Sequence, residues 1–330
     1  MTGPGARSPA ADSPPAELVA RFKEALDRLL PEGGRLGLAV SGGPDSMAML
    51  LLAEAAIPGR FEVATVDHGL RPEAEGECAF VAQVCDVREI PCRVLRVAVA
   101  SGNVQKQARV ARYAALTDWG VERSLGAIAT AHHVDDQAET LLMRLNRGSG
   151  LAGLAGVREA YWAEHYLALI IRPLLSFRRA ELASVVEAAG LDAVCDPSND
   201  DERFDRVRIR RRLADSDWLE PRSIAQSALN LAEANEAIDY VTSSFWDQET
   251  SRDGDAIRIR LHPARAIRMR LIERAIRELG GEPRGSDISR ADSRVALKRK
   301  ANLAGVVVQL ELSDSGPFLL FRPEPPRRTG

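Results

Sequence analysis

The residues Leu36-Gly37-Leu38-Ala39-Val40-Ser41-Gly42-Gly43-Pro44-Asp45-Ser46-Met47-Ala48-Met49-Leu50-Leu51-Leu52 decide the fold. The apolar run ending at Val40 has the length of a buried strand. The run from Met47 goes on too long for a strand and reads as a helix. Between them, Gly42 and Gly43 let the backbone visit positive φ and come close to a ligand. The new helix aims its unpaired N–H groups and their partial positive charge at whatever occupies the turn. Ser41 and Ser46 add hydroxyls. Asp45 adds a carboxylate that phosphate alone would repel, and which makes sense if a hard cation such as Mg²⁺ bridges the two. No lysine follows Gly43 as a Gly-x-x-x-x-Gly-Lys-Ser/Thr loop requires, and Gly-x-Gly-x-x-Gly is absent from the turn. An ordinary tight strand–helix turn is the competing reading of these residues taken alone.

Ser-Gly-Gly-Pro-Asp-Ser resembles the PP-loop of the ATP pyrophosphatase superfamily, whose members split ATP into an adenylate and pyrophosphate. The 330 residues suggest two domains. Residues 1–15, rich in Pro, Ala, Gly and Ser, lack the apolar core of a signal peptide and read as a disordered tail. No apolar run approaches the roughly 20 residues that span a bilayer, so no membrane partner and a cytoplasmic location are expected. Cys78, Cys85, Cys92 and Cys195 contain no Cys-x-x-Cys pair, and the spacing of Cys78 and Cys85 puts them on one helical face as buried thiols. The net charge of −3 hides a polarity: residues 251–330 carry 17 Lys and Arg against 10 Asp and Glu. That balance suits a C-terminal part that meets a polyanion, though surface solvation alone also produces it.

Along the chain, helical spacing predicts helices over 15–30, 74–89, 105–118, 134–147, 178–189, 222–246 and 263–279. Strands are expected at 61–69, 93–99 and 127–131, with a C-terminal hairpin of 306–312 and 318–321. Strands alternating with helices imply a parallel sheet with helices on both faces, whose ligands bind beyond the carboxyl ends of the strands. Ser41, Asp67, His68, His132 and His133 all follow predicted strands, so one cleft would collect them. The expected fold is therefore an α/β, Rossmann-like domain over 16–215. A smaller, mainly helical domain with a terminal β-hairpin follows over 216–330.

A second polar cluster is His132-His133-Val134-Asp135-Asp136-Gln137-Ala138-Glu139-Thr140. Asp136 and Glu139, at i and i+3, share a helical face that could bind a metal or an ammonium group. A helix N-terminus decorated with acids is the alternative. Segment 203–212 carries six arginines, and an extended chain would point Arg206, Arg208 and Arg210 the same way. They could contact RNA phosphates or ATP, or form a solvated loop.

With these stretches in order, the chain resembles the tRNA(Ile)-lysidine synthetase family. Matching segments are Ser41–Ser46, Val66–Arg71, Ala108–Tyr113, Ala131–Thr140, Arg147–Leu154, Arg172–Leu175, Asp196–Asn199 and Arg206–Arg210. The Gly-Gly-rich turn usual before the family's last hairpin is replaced by Ala301-Asn302-Leu303-Ala304-Gly305. The resemblance implies a ligase that adenylates the wobble cytidine of tRNA(Ile) bearing a CAU anticodon and then joins free L-lysine to it, with ATP and Mg²⁺ as cofactors. It implies Asp45, Arg112, Asp136 and Glu139 as catalytic residues, and Ser41, Gly42, Gly43, Pro44, Asp45, Ser46, Asp67 and His68 as ATP-binding. It further implies Asp136 and Glu139 for lysine; His133 is close enough in sequence to contribute to that site, or is a satisfied structural histidine, while Arg206, Arg208 and Arg210 are candidates for tRNA and Asp45 for the metal. Arg112 could instead pair with an acid on its own helix. The assembly state stays open, with a homodimer among the options. The rival within the superfamily is a 2-thiolation enzyme acting on tRNA.

Overall fold

A computed structural model describes residues 13–69, 73–100, 102, 104–163, 168–194, 203 and 205–325. Residues 1–12, Leu70, Arg71, Cys195 and Asp196–Asn199 lie outside the described residues. The chain divides into two compact units, Met1–Ala232 and Glu233–Gly330.

The first unit opens with α1 (Ala16–Leu29), which buries Leu18, Phe22, Ala25 and Leu26 along one stripe. Next come β1 (Leu36–Ala39), α2 (Pro44–Ala56), β2 (Phe61–Asp67), α3 (Glu73–Val87) and β3 (Cys92–Arg96). They are followed by α4 (Val104–Glu122), β4 (Ala127–Ala129), α5 (Val134–Asn146), α6 (Leu151–Leu154), β5 (Ala160–Ala163), β6 (Ala168–Ile171), α7 (Arg179–Ala188) and α8 (Asp205–Ala214). The strands form one sheet in the order β3-β2-β1-β4-β6-β5. Neighbours pair in parallel except β5, which runs antiparallel to β6 (Trp162 opposite Leu169) and had no counterpart in the sequence reading.

The sheet is covered on two faces. Leu36, Leu38, Val63, Ala127 and Ala129 share a core with α1, α2 and α7, whereas Ala64, Ile128 and Ile170 pack with Leu116 and Trp119 of α4. Helix α2 is apolar all round, as a helix enclosed on every side must be; Met47 through Ala53 are buried. Each buried leucine there contributes about 1.5–3 kcal/mol. Gly37 allows the close approach of α4, since a Cβ on it would lie 2.7 Å from Trp119 and from Leu125. Strand β1 is flanked by β2 on one side and β4 on the other, so the chain reverses its winding there and opens a crevice beyond the strand ends.

The second unit begins within α9 (Pro221–Glu249) and contains β7 (Thr250–Asp253), β8 (Ala256–Arg260), α10 (Arg265–Glu278), α11 (Gly285–Ala296), β9 (Ala301–Leu303), β10 (Val306–Ser313) and β11 (Gly316–Pro323). The expected hairpin is present, with Ser313 opposite Gly316 across the Asp314-Ser315 turn. It is the centre of a larger antiparallel sheet, β7-β8-β11-β10-β9, rather than an isolated end. Ile257, Ile259, Val308, Leu319 and Phe321 pack against Leu271, Ile272 and Ile276 of α10 and Val295 of α11. The turn at Ala304-Gly305 joins β9 to β10 with both residues at positive φ, +51° and +78°.

Two local readings are corrected. Residues 205–212 are not extended but lie in α8, which starts at Asp205. The arginine alternation is overridden by burial of Val207 and Leu213 and by acids on α5 that lie far away in sequence. No strand reaches His68 or Ala131, since β2 stops at Asp67 and β4 at Ala129, which leaves the polar residues after them in loops.

Candidate active site

The turn after β1 is held by its serines. The Ser41 backbone N–H donates to Ser46 Oγ at 3.1 Å, and that hydroxyl donates to the Gly43 carbonyl at 2.9 Å. Gly42 sits at φ +84°, where a Cβ would be strained and would also lie 3.3 Å from Val194 Cγ2. Pro44 opens α2 at a position whose N–H would have no intrahelical partner. The N-terminus of α2 thus faces a cleft of about 640 Å³. Its walls include Ser41, Gly43, Pro44, Asp45, Ser46, His68, Arg109, Arg112, Thr130, His132, Asp136, Arg179, Arg206 and Arg210. Gly42 supplies the bend instead of a wall. Asp67 is also absent from the walls; its Oδ1 accepts the Gly69 N–H at 2.8 Å and shapes the loop that carries His68.

The two adjacent histidines have opposite surroundings. His133, fully enclosed at 0% exposure, has Nε2 3.4 Å from Asp45 and 3.6 Å from Asp136, and Nδ1 3.6 Å from Asp135. Burial pulls its pKa down, but Asp135, Asp45 and Asp136 outweigh this and raise it to about 9. It is an imidazolium that ties the turn after β1 to the start of α5. His132 faces arginines instead: burial first, then Arg172, Arg109, Arg206 and Arg112, push it down to about 2. Asp135 extends the tie, accepting the Arg179 N–H at 2.8 Å and so capping α7. Although burial opposes it, contacts from His133, Arg179 and Arg178 hold the Asp135 carboxyl below the usual range.

Asp45 Oδ1 is buried and has no hydrogen-bond partner among the described residues. An orphaned carboxylate oxygen at the mouth of a phosphate-sized turn suits Mg²⁺, which takes one or two carboxylates and completes its shell with waters and substrate phosphates. Among the described residues no cluster of three or more His, Cys, Asp or Glu side chains could hold a metal by itself.

Of the residues expected to bind lysine, Asp136 lines the cleft, whereas His133 is sealed behind it and Glu139 is only 1% exposed. Glu139 accepts Arg206 Nε at 2.8 Å, Arg210 Nε at 2.8 Å and Arg179 Nη2 at 3.1 Å, while Arg206 also donates to Asp136 at 2.5 Å. Burial raises the Glu139 pKa, but bonds from Arg210 and Arg206 lower it by more. Glu139 therefore reaches the cleft through guanidinium groups. Helical spacing puts Arg206 and Arg210 on this face; Arg208 turns away and pairs with Asp205. Arg112 lines the cleft, and its guanidinium lies 5.4 Å from the ring centre of Tyr113 on the same helix. The sequence gives no role to Arg179, Thr130 or Arg172, although Arg172 stands in one of the matching segments. Arg179 begins a helix in a stretch with no motif, and only the fold brings it to Glu139.

A family model described as the PP-loop domain matches residues 16–216. The chain is 47% identical over 292 residues to a tRNA(Ile)-lysidine synthase of Novosphingobium aromaticivorans, covering 87% of this chain and 89% of that one. It is 41% identical over 318 residues to the tRNA(Ile)-lysidine synthase of Zymomonas mobilis, covering 93% and 94%. Among solved structures, the U34-tRNA thiolase NcsA from Methanococcus maripaludis superposes with a TM-score of 0.54 at 16% identity, over 66% of this chain and 79% of that one, a likeness of fold.

Proposed function

The chain belongs to the tRNA(Ile)-lysidine synthase family, and on that premise we propose that it ligates L-lysine to the wobble cytidine of tRNA(Ile) with a CAU anticodon, consuming ATP. The observation that carries the reading is one cleft beyond β1 and β4 that joins the turn after β1 to Asp136 and a set of arginines. In the first step the cytidine O2 attacks the α-phosphorus of ATP and pyrophosphate leaves. In the second the lysine ε-amine attacks C2, and the C2–O bond breaks to release AMP.

Ser41, Ser46 and the first N–H groups of α2 offer fixed donors to the charge that accumulates on pyrophosphate. Asp45 would hold Mg²⁺, whose charge offsets that of the phosphates. Arg112, with Arg109 one turn away, faces the reacting phosphate. Asp136 accepts the substrate ammonium by charge-assisted hydrogen bonds, displacing Arg206. Glu139 backs it by holding Arg206 and Arg210 in the wall. The attacking amine must lose a proton to gain a lone pair, and Asp136 is within reach to take it. The part from residue 216 onward, with the net positive C-terminal segment, contacts the tRNA body, and Arg208 adds a phosphate contact that raises affinity and salt dependence without reading sequence. Among the described residues no helix is long and apolar enough to cross a membrane.

The test is incorporation of radiolabelled L-lysine into tRNA(Ile) bearing CAU, with and without ATP. ATP-dependent label confined to that tRNA is the expected result. AMP formation with sulfur transfer and no lysine label would move the chain to the thiolation reading.

A further inference from the structure

Arg172 is not part of the cleft wall, yet it is 97% enclosed and touches a residue that is. Its backbone N–H donates to the Glu159 carbonyl at 2.8 Å, one of its Nη groups donates to the Arg158 carbonyl, and its guanidinium lies 4.9 Å over the Tyr161 ring. With the side chain fixed in this way, Nε points at His132 Nδ1 from 3.4 Å. Thr130 Oγ1 stands 3.1 Å from the same nitrogen.

An arginine has no lone pair to offer; its N–H groups only donate. A proton on His132 Nδ1 would face the Arg172 N–H head on. Nδ1 must therefore carry the lone pair, with the Thr130 hydroxyl donating to it, and the ring proton must sit on Nε2. The second proton of an imidazolium is excluded by the same argument, and is opposed further by burial of the ring and by the positive charges of Arg172, Arg109, Arg206 and Arg112. His132 is thus a neutral imidazole with a single proton, on the ring nitrogen that neither Arg172 nor Thr130 contacts. It stands in the wall of a cleft that also holds the turn after β1.

We propose that Arg172 is a positioning residue that locks His132 in the Nε2–H tautomer, so that this N–H donates to an anionic phosphate oxygen of the nucleotide in the cleft. This rests on the reading of the cleft as the ATP site. The lock matters because the other tautomer would present a lone pair to an anion and repel it. A neutral donor also adds no charge to a wall already crowded with arginines, so the site can bind and release a polyanion. No proton is transferred: His132 holds its N–H throughout both steps.

The tautomer is read directly by nitrogen NMR of the full chain labelled with ¹⁵N-histidine, with the His132 signals identified by their loss in His132→Leu. The wild type is expected to show an unprotonated Nδ1 and a protonated Nε2 from pH 5 to 8. Arg172→Gln, whose amide can accept as well as donate, is expected to show mixed tautomers and ATP binding weakened about tenfold. Arg172→Lys, which again only donates, should restore both. A merely structural role for Arg172 would leave the tautomer unchanged in Arg172→Gln. If Arg172→Gln does not fold, the wild-type tautomer together with ATP affinity in His132→Leu decides. An Nδ1-protonated ring in the wild type, or unchanged ATP affinity in His132→Leu, overturns the proposal. Failure of the wild type to bind ATP at all overturns the ATP reading instead, and leaves the tautomer measurement standing.

Discussion

Replacing Glu139 by Gln removes the anion on which three guanidinium groups converge, and its cost can be worked from the geometry. The carboxylate is 1% exposed, and its partners Arg179, Arg206 and Arg210 are 31%, 42% and 30% exposed. Removing one partner of a buried ion pair costs about 3–5 kcal/mol. Here the arginines keep some access to water and the amide keeps one acceptor, so the lower end applies, about 3 kcal/mol. For a unit of this size about 2–4 °C of melting temperature is lost per kcal/mol, so the first unit should melt about 6–12 °C lower. The pH dependence has a fixed sign. The folded-state pKa of Glu139 lies below its ordinary value of 4.5, so its contribution is fully present above pH 4.5 and is lost as the pH falls through the folded value. The gap between wild type and Glu139→Gln should therefore be constant from pH 6 to 8 and narrow in acid. Differential scanning calorimetry across that range is the assay. A loss under about 2 °C at pH 7, or a gap that widens in acid, would show that Glu139 is not the anion holding this wall.

Asp136→Asn is expected to spare ATP–pyrophosphate exchange with tRNA present while raising the KM for lysine about tenfold or more, the loss of one charge-assisted bond; normal lysine use would remove Asp136 from the ammonium site. Asp45→Asn should slow lysidine formation about 100-fold and shift the Mg²⁺ dependence upward; an unchanged Mg²⁺ titration would dismiss Asp45 as its ligand. Ala304 occupies a left-handed position (φ +51°) in a two-residue turn, so Ala304→Gly should stabilise the second unit by about 0.5–1 kcal/mol in urea unfolding, and a destabilised variant would contradict the strain.

How much was legible depended on whether local chemistry or a distant partner decides the outcome. The strand–turn–helix of residues 36–56 was legible because nothing remote is needed to choose it: the glycines make the bend, and an unbroken apolar run can only be enclosed. Helix α8 was not. Its arginines at 206, 208 and 210 fit a two-residue period, and the choice of a helix comes from Glu139, 67 residues before Arg206. Strand β8 could have been found, since Ile257 and Ile259 alternate with Arg258 and Arg260 as a half-buried strand requires. His132 and His133 could not be told apart. They are identical in type and adjacent, and only the folded chain surrounds one with carboxylates and the other with guanidinium groups. For the same reason the sequence leaves His133 open between a lysine contact and a structural histidine, and only the folded chain, which encloses it fully, separates the two.

The strand order has a consequence for how the protein is made. β1 lies inside the sheet between β2 and β4, but it is translated first and receives β2 after only about 25 residues. Its other neighbour, β4, is about 90 residues downstream, so at ribosomal speeds of about 5–20 residues per second the strand waits about 5–18 s with one ladder of N–H and C=O groups open. Through that interval the nascent chain displays a sheet edge beside the most apolar helix of the molecule, the combination that chaperones bind and that aggregates recruit. Premature termination between α4 and β4 would release this species permanently, and a ribosome pause before Ala127 would prolong it.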